Sequence, residues 1–139
     1  MQIKSIMTEQ VNSVRPDTPV ADIARTLRDS DIGSAPVADE ERLIGIVTDR
    51  DIVTRVVAAG TDPRTATARD AMSPKVLYCY DDQTVEEVLE NMGDQQIRRL
   101  PVVNRDKRLV GIVSLGDLAK ASKRKAGDAL REISKPARH

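Results

Sequence analysis

The stretch LIGIVTDRDI, Leu43–Ile52, returns later in the chain as LVGIVSLGDL, Leu109–Leu118. Both copies read apolar, apolar, Gly-Ile-Val, a hydroxyl residue, two variable residues, an aspartate and an aliphatic residue. The apolar residues predict a buried strand, and the polar residues after them predict the start of a helix. A segment repeated in this way within 139 residues indicates two copies of one unit.

The repetition extends over nearly the whole of both halves. The pairs that align at an offset of 65 residues are Met7-Thr8 with Met72-Ser73, and Pro36-Val37 with Pro101-Val102. One extra residue near Lys107 then shifts the second motif, so that Gly45 aligns with Gly111. Two copies favour a pseudo-twofold pair of units over a solenoid. The predicted divisions are 1–61 for the first unit, 62–122 for the second, and 123–139 for a C-terminal extension that is helical or disordered.

Each half reads as strand, helix, strand, strand, helix. In the first half, Thr18 is predicted to cap a helix whose first residue is Pro19. In the second half, Thr84 and Glu87 have the spacing of a capping box. Two apolar runs joined by a charged turn predict a β-hairpin, whose second strand leads into one last helix, DRDIVTRVVAAG or LGDLAKASKRKAG. The remaining predicted elements are short strands near Val11–Val14 and Val76–Cys79 and a helical turn near Arg69–Met72.

The composition argues against several classes of function. Lysine plus arginine and aspartate plus glutamate number 22 each, so no net charge attracts nucleic acid or a membrane. With no Trp, no Phe and two Tyr, the chain lacks stacking aromatics for single-stranded nucleic acid. Cys79 is the single cysteine, which favours a reducing cytoplasm, and the N-terminus predicts neither a signal peptide nor a membrane span. The single histidine is His139, so we expect no metal site and no histidine-based enzyme.

The repeated motif has a chemistry of its own. Where a buried strand ends and a helix begins, unpaired N–H groups form a site for an anion, and a glycine allows close approach. The carboxylate of Asp51 or Asp117 lies three residues after the hydroxyl of Thr48 or Ser114. A fixed carboxylate can accept two hydrogen bonds from a vicinal diol such as ribose. The same spacing equally fits an N-cap with an acidic third residue, so spacing alone leaves both interpretations open.

With a preceding APV or LPVV strand and a Met-Thr or Met-Ser start, the motif resembles a tandem pair of cystathionine β-synthase (CBS) domains, or Bateman module. The resemblance covers Ile3 to Ser122. It implies an α/β fold of two pseudo-symmetric CBS units packed through their sheets, with two clefts and frequently a homodimer. It also implies an adenosine ligand (AMP, ADP, ATP or S-adenosylmethionine) and regulation without catalysis.

The resemblance implies roles for particular residues. Asp51 and Asp117 would hold the ribose hydroxyls, while Thr48 and Ser114 would contact ribose or phosphate. The residues implied to surround adenine are Ile32, Ala35, Pro36 and Val37 with main-chain groups near Ser13 in the first unit, and Ile97, Leu100, Pro101 and Val102 with main-chain groups near Tyr78 in the second.

The two units are not equivalent in their basic residues. Arg98 and Arg99 stand where members of the family place phosphate contacts, and a guanidinium can hold a phosphate through two hydrogen bonds. The first unit has Gly33-Ser34 there, but it has Arg50 where the second has Gly116. We therefore predict that the cleft of Asp117 is the better phosphate site.

Two functions follow. In the first, the protein is a cytoplasmic regulatory module that needs no cofactor, binds an adenosine nucleotide and signals to a partner protein, as a homodimer. In the second, it is a ligand-free structural or stress interaction protein on the same fold, and both motifs are only caps. The basic-leaning tail after Ser122 is predicted to continue as a helix that packs on a dimer or stays solvated, and Cys79 to be an inert strand residue.

Overall fold

The computed structural model describes residues 1–95 and 97–136. The contacts within the chain form two compact units. The central unit contains Asn12–Val76, and the terminal unit contains Met1–Val11 together with the chain from Leu77 onwards. Each unit therefore combines segments from the two sequence repeats, and the repeat boundaries at residues 61 and 122 stay a prediction about the sequence.

The central unit carries an antiparallel hairpin and three helices. Its elements are α1 (Val20–Ser30), β1 (Ser34–Asp39), β2 (Arg42–Thr48), α2 (Asp49–Ile52), which continues as a π-helical turn over Val53–Val57, and α3 (Ala68–Ala71). β1 pairs with β2, and Val14 forms a parallel bridge to Val37. The predicted strand near Val11–Val14 is reduced to this bridge, because the chain turns at Arg15–Thr18, where the N–H of Thr18 bonds to the carbonyl of Arg15.

The terminal unit carries a three-stranded sheet. Its elements are a 3-10 turn (Ile3–Ser5), β3 (Cys79–Tyr80), α4 (Val85–Gln95), β4 (Arg99–Val103), β5 (Leu109–Ser114), α5 (Leu115–Ala119) and α6 (Lys123–Ile133). The strand order is β3-β4-β5, with β3 parallel and β5 antiparallel to β4. The mixture of helices with small sheets is the α/β class that the alternating sequence pattern predicts.

The two longer predicted helices, α1 and α4, both form, and each buries its apolar face. In α4 one half of the predicted capping box is confirmed, because the hydroxyl of Thr84 accepts a hydrogen bond from the N–H of Glu87 at 3.2 Å. The same hydroxyl donates to Oε1 of Glu87 at 3.1 Å. In α1 the predicted cap is wrong by one residue. Pro19 is the N-cap, and the hydroxyl of Thr18 instead accepts from the N–H of Arg15. The helix ends at Asp31, which has a left-handed φ of 52°.

The prediction of one continuous helix over LGDLAKASKRKAG is wrong. α5 ends at Ala119, and α6 begins at Lys123. α6 then packs on α4, where an atom placed as Cβ on Gly93 would lie 3.3 Å from Cα of Ala129. The absence of a side chain at Gly93 thus allows the two helix backbones to approach closely.

Each unit has a separate aliphatic core. The buried core of the central unit contains Val14, Val20, Ile23, Leu27, Ala35, Val37, Val47, Ile52, Val56, Ala66, Ala68 and Ala71. That of the terminal unit contains Ile3, Cys79, Val85, Val88, Leu89, Met92, Leu100, Val102, Val113, Leu118 and Ala129. Among the described residues, no helix has the length and apolar character needed to cross a bilayer.

Candidate functional site

Both strand-to-helix junctions form complete capping boxes. At the start of α2, the hydroxyl of Thr48 accepts from the N–H of Asp51 at 3.0 Å, and Oδ2 of Asp51 accepts from the N–H of Thr48 at 2.9 Å. At the start of α5, Ser114 and Asp117 make the same two bonds, both at 3.1 Å. One oxygen of each carboxylate, Oδ2, is therefore used in the cap, as the capping interpretation predicts. The other oxygen, Oδ1, is the one left for contact with a ligand.

The remaining oxygen of Asp51 has a neighbouring cation. Nη1 of Arg55 lies 4.0 Å from Oδ1 of Asp51, and the side chain of Asp51 is only 17% exposed. Arg55 also donates to the carbonyl oxygens of Ala71, at 3.0 Å, and Met72, at 2.9 Å. This guanidinium therefore ties the π-helical turn to the end of α3, beside Asp51.

Asp117 has no such neighbour. The position equivalent to Arg55 in the second repeat is Ala121, and within the described residues no ion pair is formed by Asp117. The second oxygen of Asp117 is therefore less engaged than that of Asp51.

The glycine of each motif lies under a methionine. An atom placed as Cβ on Gly45 would lie 2.6 Å from Sδ of Met72, and one on Gly111 would lie 2.6 Å from Sδ of Met7. The residue after each methionine also pairs with the strand, since Ser73 and Ile46 exchange two backbone hydrogen bonds. The close approach expected at these glycines is thus made by the Met-Thr and Met-Ser segments of the repeat.

A cavity of about 580 Å³ lies in the terminal unit between the start of β4, α5 and α6, and we call it the α5–α6 cavity. Its lining residues are Arg98, Arg99, Ser114, Leu115, Gly116, Ala119, Gly127 and Leu130. Both arginines are exposed at its edge, and in the part of the chain that the structure describes neither guanidinium has an ion-pair partner. Two uncompensated cations beside a hydroxyl group favour the binding of an anion.

Asp117 lies on a different cavity from the two arginines. This second cavity, of about 280 Å³, is lined by Met1, Ile6, Asp117, Lys120 and Ala121. The two cavities share no lining residue. The structure therefore brings Arg98, Arg99 and Ser114 together, but it places Asp117, the residue predicted to bind ribose, on another surface. A single molecule that touched both would have to reach around the first turn of α5.

Ser13 lies in a third cavity, in the central unit. This cavity, of about 500 Å³, is lined by Ser13, Val14, Arg15, Ala38, Asp39, Glu40 and Glu41. The turn between β1 and β2 forms part of it, and Glu40 and Glu41 both have left-handed φ values, 48° and 72°. The main-chain groups near Ser13 that were predicted to contact the edge of adenine therefore share a cavity with the acidic residues Asp39, Glu40 and Glu41.

Most of the predicted adenine-contacting residues lie in the interior. Ala35 and Val37 belong to the core of the central unit, and Leu100 and Val102 to that of the terminal unit. The other members are Pro36 and Pro101, which are buried, and Ile32 and Ile97, which are half-buried against the two cores. The aliphatic character of these strands thus serves core packing in the first place.

Tyr78 packs against a second tyrosine, and Arg50 is exposed. The ring of Tyr78 meets that of Tyr80 edge to face, with centroids 5.7 Å apart. The guanidinium of Arg105 lies 4.0 Å from the centre of the Tyr80 ring and makes two hydrogen bonds to Asp82. Arg50 is exposed on the first turn of α2, in the central unit. The contacts of Arg105 with Tyr80 and Asp82 were not predicted from the sequence. The sequence shows only that Arg105 lies in a charged hairpin turn.

Cys79 is buried in β3, and burial raises the pKa of its thiol to about 12, with a smaller contribution from the charge of Asp81. A redox-sensing cysteine needs a lowered pKa, so the environment of Cys79 is that of an inert strand residue. Within the described ranges, no three His, Cys, Asp or Glu side chains come together as they would around a metal ion. His139 lies outside the described residues.

Comparison with known sequences gives two matches to one family. The sequence model described as "CBS domain" matches residues 3–58 and again residues 68–124. The CBS domain-containing protein YhcV of Bacillus subtilis (strain 168) is 38% identical over 134 residues, which cover 95% of this chain and 94% of YhcV.

Solved structures give the same result. The crystal structure of Hypoxic Response Protein I with two coordinated zinc ions has a TM-score of 0.77 and 38% identity, covering 87% of this chain and 98% of that one. The crystal structure of CBSX2 in complex with AMP has a TM-score of 0.76 and 25% identity, covering 88% of this chain and 97% of that one. CBSX2 is a CBS-pair protein from Arabidopsis thaliana.

Proposed function

Because this chain belongs to the CBS domain family and carries two CBS repeats, we propose that it is a regulatory module that binds an adenosine nucleotide. The observation that carries the proposal is the pair Arg98 and Arg99 beside Ser114 on one cavity, without ion-pair partners among the described residues. Exposed cations in this arrangement favour a phosphate, which can accept hydrogen bonds from both guanidinium groups. CBSX2, which has the same fold, has been crystallised with AMP.

In this proposal the terminal unit carries the main site. Arg98, Arg99 and Ser114 hold the phosphate, and the second oxygen of Asp117 accepts from the ribose hydroxyls at the other side of α5. The equivalent oxygen of Asp51 already lies 4.0 Å from Nη1 of Arg55, so ribose hydroxyls must compete with this cation and the central unit binds more weakly. Of the ligands AMP, ADP, ATP and S-adenosylmethionine, AMP is the first to test, because CBSX2 binds it.

The module is proposed to act without catalysis, in the cytoplasm, where the single thiol stays reduced. Nucleotide binding would shift a homodimer or its contact with a regulated protein. Such a shift cannot exceed the difference in ligand affinity between the two states.

One observation favours the second candidate, a ligand-free interaction protein. Both aspartates already complete capping boxes, and Asp117 lines a different cavity from Arg98 and Arg99. In that case both motifs serve only to begin helices.

Calorimetric titration with AMP tests the proposal. We expect binding to be weakened about tenfold or more by Arg98→Ala combined with Arg99→Ala, because charge-assisted hydrogen bonds contribute about 1.5–3 kcal/mol. Asp117→Asn, which keeps an oxygen acceptor for the cap, should also weaken binding. Arg131→Ala, on the exposed side of α6, is the control for loss of one charge. At 100 times its dissociation constant, a true ligand adds about 2.7 kcal/mol to stability. A panel of adenosine ligands without any melting shift would favour the interaction protein.

A further inference from the structure

The α5–α6 cavity has an apolar part besides its two arginines. Away from the two arginines its walls are formed by Leu115 and Ala119 of α5 and Leu130 of α6, whose side chains end in carbon atoms. Leu130 is 42% exposed although it is a large apolar residue. An exposed apolar wall beside exposed cations is typical of a site for a molecule with both characters.

Two glycines keep this space open. An atom placed as Cβ on Gly127 would meet nothing within 4 Å, and one on Gly116 would meet only the hydroxyl of Ser114, at 3.7 Å. Neither glycine is therefore required by close packing, in contrast to Gly45 and Gly111, over which methionines lie. The volume of about 580 Å³ falls within the range of roughly 300–1,000 Å³ that small-molecule sites occupy.

One wall of the cavity lies outside the family pattern. The second match to the CBS family ends at residue 124, whereas Gly127 and Leu130 belong to the part of α6 that follows. α6 is positioned by its close crossing with α4, where Ala129 is buried against Gly93. The extension of this chain thus supplies the Leu130 side of the apolar wall, whereas Leu115 and Ala119 belong to the CBS repeat.

We propose that the α5–α6 cavity binds an amphipathic anion, such as a straight-chain carboxylate. The anionic head accepts hydrogen bonds from Arg98 and Arg99, and the hydrocarbon body lies between Leu115, Ala119 and Leu130. Burial of such a chain is favourable in proportion to the apolar area removed from water. The anionic head uses the same Arg98 and Arg99 as the proposed nucleotide phosphate, so the two ligands compete, but the carboxylate needs neither Asp117 nor a ribose and is held by the apolar wall.

Octanoate is the probe, with two comparison compounds that each carry one half of its chemistry. Octan-1-ol has the chain without the charge, and inorganic phosphate has the charge without the chain. We expect titration with octanoate to shift the NMR signals of the Leu130 and Ala119 methyl groups and of the Gly116 and Gly127 amides. Octanoate should bind at least about tenfold more tightly than octan-1-ol, because charge-assisted hydrogen bonds are lost with the carboxylate.

Gly127→Leu separates loss of the site from loss of the fold. The Cβ of the new side chain would meet nothing within 4 Å, and leucine is a better helix former than glycine. This variant should therefore be at least as stable as the natural protein and yet fail to bind octanoate. Arg98→Ala with Arg99→Ala should weaken octanoate about tenfold, whereas Arg131→Ala, with a charge removed elsewhere on α6, should leave its affinity unchanged.

The outcomes are distinguishable from those of the nucleotide proposal. Octanoate that binds Gly127→Leu unchanged, matches octan-1-ol in affinity, or shifts signals away from α5 and α6 overturns the inference. AMP binding without octanoate binding also overturns it but leaves the nucleotide function intact. Octanoate binding without AMP binding supports the inference and counts against the nucleotide function.

Discussion

The sulphur atom of Met72 lies 2.6 Å from the position that a Cβ atom on Gly45 would occupy. The same distance separates Met7 from that position on Gly111. Since neither glycine has a positive φ, the requirement comes from close approach and not from backbone conformation. In each unit the methionine of one repeat therefore covers the glycine of the other repeat.

Gly45→Ala is expected to destabilise the central unit by about 1–3 kcal/mol, because a buried methyl group would overlap Met72 and approach the carbonyl oxygen of Ser73 at 3.0 Å. The measurement is the midpoint of chemical denaturation. The matched control is Gly127→Ala, which has open space and should be stabilised by about 0.4–1 kcal/mol.

A double-mutant cycle with Met72→Ala separates the two parts of the overlap. In the Met72→Ala background, Gly45→Ala should lower the free energy of unfolding by less, because the overlap with the sulphur is gone. The loss of stability that remains measures the overlap with the carbonyl oxygen of Ser73. Strict additivity of the two changes would show that Met72 does not restrict Gly45.

Arg55→Gln is expected to lower the stability of the central unit by about 0.5–1.5 kcal/mol, since the guanidinium bonds to the carbonyl oxygens of Ala71 and Met72. Arg25→Gln is the control, because Arg25 pairs with the exposed carboxylate of Asp22 and its loss should change stability by less than about 0.5 kcal/mol. Equal effects of the two substitutions would contradict the bracing role assigned to Arg55.

Ser114→Ala is expected to cost about 0.5–2 kcal/mol, because the N–H of Asp117 loses its acceptor at the start of α5. Ser114→Thr keeps the hydroxyl and should retain most of this stability. Urea denaturation monitored by circular dichroism measures both variants. If the alanine and threonine variants are equally stable, the hydroxyl is not acting as a cap.

The thiol of Cys79 should make stability depend on alkaline pH. Its pKa rises from an ordinary value of 9.0 to about 12 in the folded protein, so folding favours the neutral thiol. The resulting stabilisation is complete below pH 9 and is lost as the pH rises from about 9 towards about 12. The difference in unfolding free energy between the natural protein and Cys79→Ala should therefore shrink over this interval.

The same burial protects the thiol from reagents. At pH 8, alkylation of Cys79 by iodoacetamide should be slow in the native protein and fast in urea, because the thiolate is the nucleophile. Rapid alkylation of the folded protein, or a free-energy difference that is constant with pH, would contradict the buried environment.

The sequence predicted local structure well where short-range chemistry controls it. The cap that the hydroxyl of Thr84 gives to the N–H of Glu87 and the turn of helix near Arg69–Met72 form as expected. The cap at Thr18 was wrong by one residue, because its hydroxyl serves the N–H of Arg15 instead. The pattern could not locate the break between Ala119 and Lys123, since the helix signals of α5 and α6 run together in the sequence.

The candidate site was predictable only in its parts. Arg98 and Arg99 were recognisable as two adjacent cations that replace Gly33 and Ser34 of the first repeat. Their separation from Asp117 was not, because it depends on how the start of β4, which carries the arginines, packs beside α5, which carries Asp117. The wall that Leu130 provides depends on the packing of α6 against α4. No motif in the sequence predicts this packing.

The amino-acid sequence by itself determined the duplicated unit, the aliphatic cores and the two capped strand-to-helix junctions, because periodicity, caps and turns act over a few residues. Only the tertiary structure decided which Met-Thr or Met-Ser segment covers which glycine, which aspartate has a neighbouring cation, and which cavity each polar residue lines. These features join residues that are far apart in the chain, and their geometry follows from the packing of whole elements.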